Sequence, residues 1–151
     1  MIPLDSISTL PEVSFSEGDE VISVNTHPET IFFLKSGKVE VVREGIRLAL
    51  VKTPGSAFGE VSLLLNSPTT ATVVALEDCT FWVAEEPIKF LSEHPRVNFH
   101  VSRILALRLD AATQYLVDVR EQLQEASDHV GMLDGVLDAI QHRDLKKRMA
   151  Q

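Results

Sequence analysis

A single cysteine, Cys79, excludes an intrachain disulfide. Chains of this kind suit a reducing compartment, and the expectation is a cytoplasmic protein. Cys79 sits in a strand-like run, where a buried, inert thiol is expected rather than a nucleophile. Positive charge is also scarce: 14 Lys and Arg stand against 22 Asp and Glu, a net charge of −8. An acidic surface repels nucleic acid and anionic membrane, so neither is expected as a main partner. Long apolar runs are missing. No stretch reaches the roughly 18 apolar residues that a membrane helix needs. The start, Met1-Ile2-Pro3-Leu4-Asp5, has neither a basic region nor a long apolar one, so no signal peptide is expected. The five histidines join no His/Cys/Asp/Glu group with metal-ligand spacing, and no metal or other cofactor is expected. No serine or histidine belongs to a nucleophile elbow or comparable motif, so the chain reads as a binding module and not an enzyme.

What remains is ordinary for a soluble globular chain: 151 residues, 44% apolar and 24% charged. That length makes one domain with an appendage. Leu4, Ile7 and Leu10 predict a short helix that Pro11 stops. From Val13 to Val83 short strand-like runs alternate with turns. Val13 and Phe15 alternate with polar residues, and Val21, Ile22 and Val24 follow the Ser16-Glu17-Gly18-Asp19 turn. Ile31 to Leu34 is a short buried run. Ser36-Gly37 and Glu44-Gly45 are hairpin turns. Thr72 to Ala75 and Thr80 to Val83 close the series. Strands at this spacing predict a β-barrel or jelly roll.

One stretch, Phe58 to Thr72, is unlike the rest. Glu60 is a carboxylate beside a glycine within an apolar run, and a charge so placed either faces water or has a bound partner. Gly59 lets backbone or ligand approach where a side chain would collide. Val61, Leu63, Leu64 and Leu65 predict a short helical turn pinned to the core, ended by Asn66-Ser67-Pro68. Thr69 and Thr70 add two hydroxyls, each donor and acceptor. Glycine, backbone amides, a carboxylate and hydroxyls together make a small cradle for a polar ligand.

Phe58-Gly59-Glu60, Leu63-Leu64, Pro68 and Ala71-Thr72 resemble the phosphate-binding cassette of the cyclic-nucleotide-binding domain family. Gly18, Ser36-Gly37-Lys38-Val39, Pro54-Gly55 and Ala75-Leu76-Glu77-Asp78 fall where that family has them, in the same order. The resemblance implies a β-roll followed by a short hinge helix and a long C-terminal helix, and a ligand, cAMP or cGMP. It implies that Glu60 bonds the ribose 2′-hydroxyl. Backbone amides at Phe58, Gly59, Glu60 and Val61, and around Thr70 and Ala71, would hold the cyclic phosphate. Thr69 occupies the position of the family's phosphate-binding arginine, so the cradle keeps its shape and loses its main cation. Arg43, Arg47 or Lys52 is a candidate stand-in from a neighbouring strand. Thr70 lies where cyclic-GMP-binding members often carry a guanine-contacting threonine, and Thr113 where some members contact the base. With the arginine gone, a degenerate domain that binds no cyclic nucleotide and serves as a dimeric protein-interaction scaffold stays open as the alternative.

The expected division is 1–95 for the β-roll with its short flanking helices and 96–151 for the long helix and a basic tail. Pro87 starts a short helix that His94-Pro95 ends. From Leu105 to Ile140 apolar residues recur at alternating spacings of four and three. Sustained over five heptads, this predicts a coiled coil and a parallel homodimer through 105–140. A helix from 96 to 140 runs on the order of 65 Å at ~1.5 Å per residue, too far for the barrel to cover. Gly131, Gly135 and a Ser127-Asp128 cap signal leave open a break near 127–131. A further protein partner on the helix is a second reading. Residues 143–148 hold Arg143, Lys146, Lys147 and Arg148 against Asp144, a local 4 − 1 = +3 that reads as a solvated helix end. Too few residues follow the heptads for a helix-turn-helix, so no direct DNA binding is expected.

Overall fold

In the computed structural model, residues 2–124, 130–140 and 149–150 are described. The chain divides into two compact units, Met1–Ile104 and Leu105–Gln151.

The first unit is a β-roll of two antiparallel four-stranded sheets. One sheet has the order β1-β8-β3-β6, built from Glu12–Phe15, Cys79–Ala84, Ile31–Ser36 and Ala57–Phe58. The other has the order β2-β7-β4-β5, built from Glu20–Ile22, Thr72–Ala75, Val39–Arg43 and Ile46–Val51. The expected jelly roll is therefore the fold observed. Its strands are short because turn residues interrupt them at regular intervals, and the sheets close by burying their alternating inner faces. Phe33, Leu34, Val39, Ala57 and Phe81 have no exposed surface. Phe81 lies at the centre. Phe15, Phe32 and Phe58 meet it edge-on at 5.7, 5.9 and 6.1 Å between ring centroids, a geometry that adds about 0.5–1.5 kcal/mol per pair beyond burial.

Three short helices decorate this unit: α1 (Leu4–Ile7), α2 (Glu60–Leu65) and α3 (Pro87–Glu93). Pro87 opens α3, and Phe90 and Leu91 bury its inner side. Helix α4 (Pro95–Leu123) then begins inside the first unit. Val97 and Val101 are 0% and 1% exposed, and His100 Nε2 lies 2.8 Å from the Gly55 carbonyl. The compact unit that holds the β-roll runs to Ile104, and the buried Val97 and Val101 make the opening turns of α4 part of its core.

In the second unit α4 ends at Leu123, Gln124 is in a turn, and α5 spans Val130–Asp138. Arg120 Nη1 and Asp134 Oδ1 pair at 3.2 Å. In one straight helix residues 14 apart are about 21 Å apart, so α4 and α5 are two helices side by side rather than one helix through Ile140. Most of the 127–131 break segment, and the basic run 143–148, lie outside the described residues.

Candidate functional site

The cassette begins at the end of β6. Phe32 of β3 pairs with Phe58, whose ring is only 4% exposed and packs on Phe81. Phe58 therefore offers a ligand its backbone and not its ring. Gly59 caps α2 with φ +88°, in the left-handed region. A Cβ there would stand 2.9 Å from the Thr30 carbonyl and 3.4 Å from Ile22 Cδ1. Only glycine lets the cassette press this closely on the β2–β3 connection.

The cap also sets which side of α2 turns inward. Glu60 and Ser62 are 1% and 8% exposed, whereas Val61, Leu64 and Leu65 are 44%, 48% and 41% exposed. The expectation that Val61, Leu63, Leu64 and Leu65 pin this turn to the core is corrected: Val61, Leu64 and Leu65 are exposed, Leu63 is only half-buried, and the carboxylate is buried. Ser62 Oγ donates to the Gly59 carbonyl at 3.3 Å. Asn66, at φ +47°, ends the helix in the left-handed region.

Thr69 has a different role from the one its hydroxyl suggested. Its Oγ1 donates to the Ser23 carbonyl at 2.6 Å and accepts from the Thr26 amide at 2.9 Å. Its own amide donates to the Thr26 carbonyl, and its carbonyl accepts from the Asn25 amide, both at 2.8 Å. Thr72 Oγ1 accepts from the Val24 amide at 3.2 Å. The arm 69–72 is thereby stitched to residues 23–26, continuing the β2–β7 pairing beyond its last ladder residues. Thr69, 9% exposed, binds the protein's own backbone. Thr70 is exposed and Ala71 half-buried. Thr113 lies on α4, half-buried within the second unit.

Sequence reasoning missed Ser23 and Thr26. They lie more than 40 positions from Thr69, and no local pattern reports a pairing at that separation. Of the three stand-in cations, Arg47 is committed to Glu40 on β4, Nε to Oε2 at 2.8 Å, while Arg43 and Lys52 are exposed. Cys79 is 1% exposed and its thiol donates to the Lys38 and Glu77 carbonyls. Burial pushes its pKa up, and the Glu77 and Asp78 carboxylates add to the shift. That is the inert thiol expected. Among the described residues no His/Cys/Asp/Glu group is placed to hold a metal ion, and no helix is long and apolar enough to cross a membrane. A groove of about 300 Å³ between Leu10, Ala84, Glu86 and Phe90 includes no cassette residue.

The site is thus a glycine-capped short helix with a buried carboxylate, set on a β-roll. The chain belongs to the cyclic nucleotide-binding domain family, whose model matches residues 12–87. A cAMP-dependent protein kinase regulatory subunit of Yarrowia lipolytica is 33% identical over 76 residues, covering 50% of this chain and 20% of that protein. The cGMP-dependent protein kinase egl-4 of Caenorhabditis briggsae is 28% identical over 85 residues, 56% of this chain and 11% of that protein. The chain thus spans about a fifth or less of the curated relatives it matches. Among solved structures, the catabolite activator protein of Thermus thermophilus superposes with a TM-score of 0.66 at 21% identity, covering 94% of this chain and 81% of that one. At that identity the likeness shows the fold alone.

Proposed function

We propose that this chain is a non-enzymatic regulatory module that takes a cyclic nucleotide, cAMP or cGMP, into the 58–72 cassette and dimerises through residues 105–140. The observation that carries the reading is Glu60, 1% exposed behind a left-handed glycine, inside the family match. A carboxylate accepts several hydrogen bonds at once, and the hydroxyls of a ribose are donors of the kind it takes. Backbone amides at Phe58 to Val61 and at Thr70 and Ala71 take the phosphate, and the exposed Thr70 is free to meet a guanine edge. The names of the relatives, cAMP- and cGMP-dependent kinase proteins, support the ligand class. The single buried thiol fits a reducing compartment such as the cytoplasm.

At position 69 the phosphate would meet a threonine in place of an arginine. A lost hydrogen bond to a charged group costs roughly 1.5–3 kcal/mol, about one to two decades in affinity. The second reading follows from Thr69: its hydroxyl is spent on Ser23 and Thr26, which favours a cassette that holds itself together without a ligand.

Calorimetric titration of nucleotide-free protein with cAMP and cGMP decides between them. Micromolar to submillimolar binding, weakened at least tenfold by Glu60→Gln, supports the first reading. No heat at millimolar nucleotide leaves the self-held scaffold.

A further inference from the structure

The two sheets of the roll end on four edge strands. β1, β6 and β2 have four, two and three residues, whereas β5 has six. Among the described residues β5 pairs with β4 alone, and no other backbone hydrogen bond reaches residues 46–51. Alternate residues of an antiparallel strand turn their N–H and C=O away from the partner strand, so β5 holds a row of open donors and acceptors. Its large side chains are open too: Ile46, Leu48 and Leu50 are exposed at 65%, 57% and 47%. An edge that is both long and apolar is a template for another strand.

We infer that β5 is a docking edge for an extended, acidic segment of a partner protein, which joins the β2-β7-β4-β5 sheet as a fifth strand. The inference is independent of the cassette and of the dimer. The pairing falls on the second half of β5. Leu48 has no opposite number on β4, because Val41 faces Ala49 and Val42 faces Arg47. A bulge of this kind bends and twists its strand, which keeps the hairpin tip out of any further ladder. From Ala49 to Val51 the ladder is regular, opposite Val41, Glu40 and Val39. Val41 and Val51 pack on the core, so the intervening Leu50, opposite Glu40, stands on the outer face. An incoming strand gains affinity from backbone hydrogen bonds here, and its alternate side chains meet Leu50 and supply specificity.

Charge selects the partner. Residues 46–52 include Arg47 and Lys52 and no acid, in a chain of net charge −8. The whole hairpin from 38 to 52 carries Lys38, Arg43, Arg47 and Lys52 against Glu40 and Glu44. Glu40 is taken up by Arg47, at 2.8 Å, while Arg43 and Lys52 are exposed. β7 has no charged residue, and Glu20 on β2 is three strands from β5, about 14 Å away and beyond a Debye length. Carboxylates on the incoming strand therefore meet a locally basic edge. A second copy pairing β5 with β5 would instead set Arg47 and Lys52 against like charges. A lipid surface cannot pair with a strand's alternating N–H and C=O groups.

The test titrates the full chain, isotope-labelled for NMR, with a capped peptide of about eight residues, a strand with its flanks, in which Val and Glu alternate. The expected result is binding at tens to hundreds of micromolar, with amide shifts centred on residues 48–52. Lys52→Glu and Leu50→Lys, both at exposed positions, each weaken it at least fivefold and leave the rest of the spectrum unchanged. Methylating every peptide nitrogen removes the donors on both peptide edges and abolishes binding. No shift at β5 with millimolar peptide overturns the inference, as does equal binding by the methylated peptide or by one in which Lys replaces Glu. Binding of phosphatidylserine vesicles through residues 46–52 overturns it in favour of a lipid surface. Concentration-dependent shifts at 46–52 without peptide overturn it in favour of a second copy.

Discussion

Thr69 is where a single residue decides the chemistry. Its hydroxyl makes two hydrogen bonds to backbone at a site only 9% exposed. Thr69→Val keeps the shape and removes the hydroxyl, leaving the Thr26 amide unpaired while the Ser23 carbonyl keeps only its bond from Thr26 Oγ1 at 2.6 Å. A buried group left without its partner costs about 1–3 kcal/mol, so denaturant unfolding shows a loss of that size, and Thr69→Ser recovers most of it. Thr69→Arg separates the two demands on this position. The guanidinium supplies a charge-assisted phosphate contact, so cyclic-nucleotide affinity rises about ten- to a hundredfold. It cannot reproduce both threonine bonds, so stability without ligand falls as it does for valine. Equal stability of wild type and Thr69→Val would show that the stitch to residues 23–26 carries no weight.

At the scale of elements, the cassette depends on how closely α2 and the 69–72 arm approach the β2–β3 connection. Gly59 controls the first approach. Gly59→Ala meets the Thr30 carbonyl at 2.9 Å and must hold φ +88°, a backbone strain of about 1–3 kcal/mol. Relief requires α2 to lift, so hydrogen exchange speeds up across 59–65 while β3 and β8 stay protected; protection unchanged at α2 would refute this. The elements themselves were largely legible. Glycine turns and alternating strands mark the roll, and Phe58-Gly59-Glu60 marks the cradle, because turn chemistry and close approach leave local residue signatures. The orientation of α2 was not legible. Four apolar residues among the five from Val61 to Leu65 point to burial by composition, and only the left-handed cap, a property of backbone geometry, turns Glu60 and Ser62 inward instead. Thr69 misled for a related reason: its partners at Ser23 and Thr26 are brought near by the β2–β7 pairing, which no local window contains.

At the scale of the whole molecule, the question is where one folding unit stops. The proline at 95 suggested a boundary there, since proline starts helices and cannot sit inside them. Helix α4 does start at Pro95, but an element boundary is not a unit boundary. Val97 and Val101 are buried, His100 bonds the Gly55 carbonyl, and Arg96 pairs with Asp5 at 3.1 Å. The sequence pattern from Leu105 onward belongs to a different unit, one with no buried side chain among its described residues. Two truncations separate these readings. A fragment ending at Ile104 keeps every buried residue of the roll and folds cooperatively as a monomer, with the dimer lost. A fragment ending at Pro95 forfeits two buried valines, each contributing about 1.5–3 kcal/mol, together with the His100 bond. Total stabilities of domains are only about 5–15 kcal/mol, so the shorter fragment is at best marginal, with a melting transition far below that of the longer one or none at all. If both fragments melt at the same temperature, the opening turns of α4 are not part of the roll, and the boundary belongs at 95 after all.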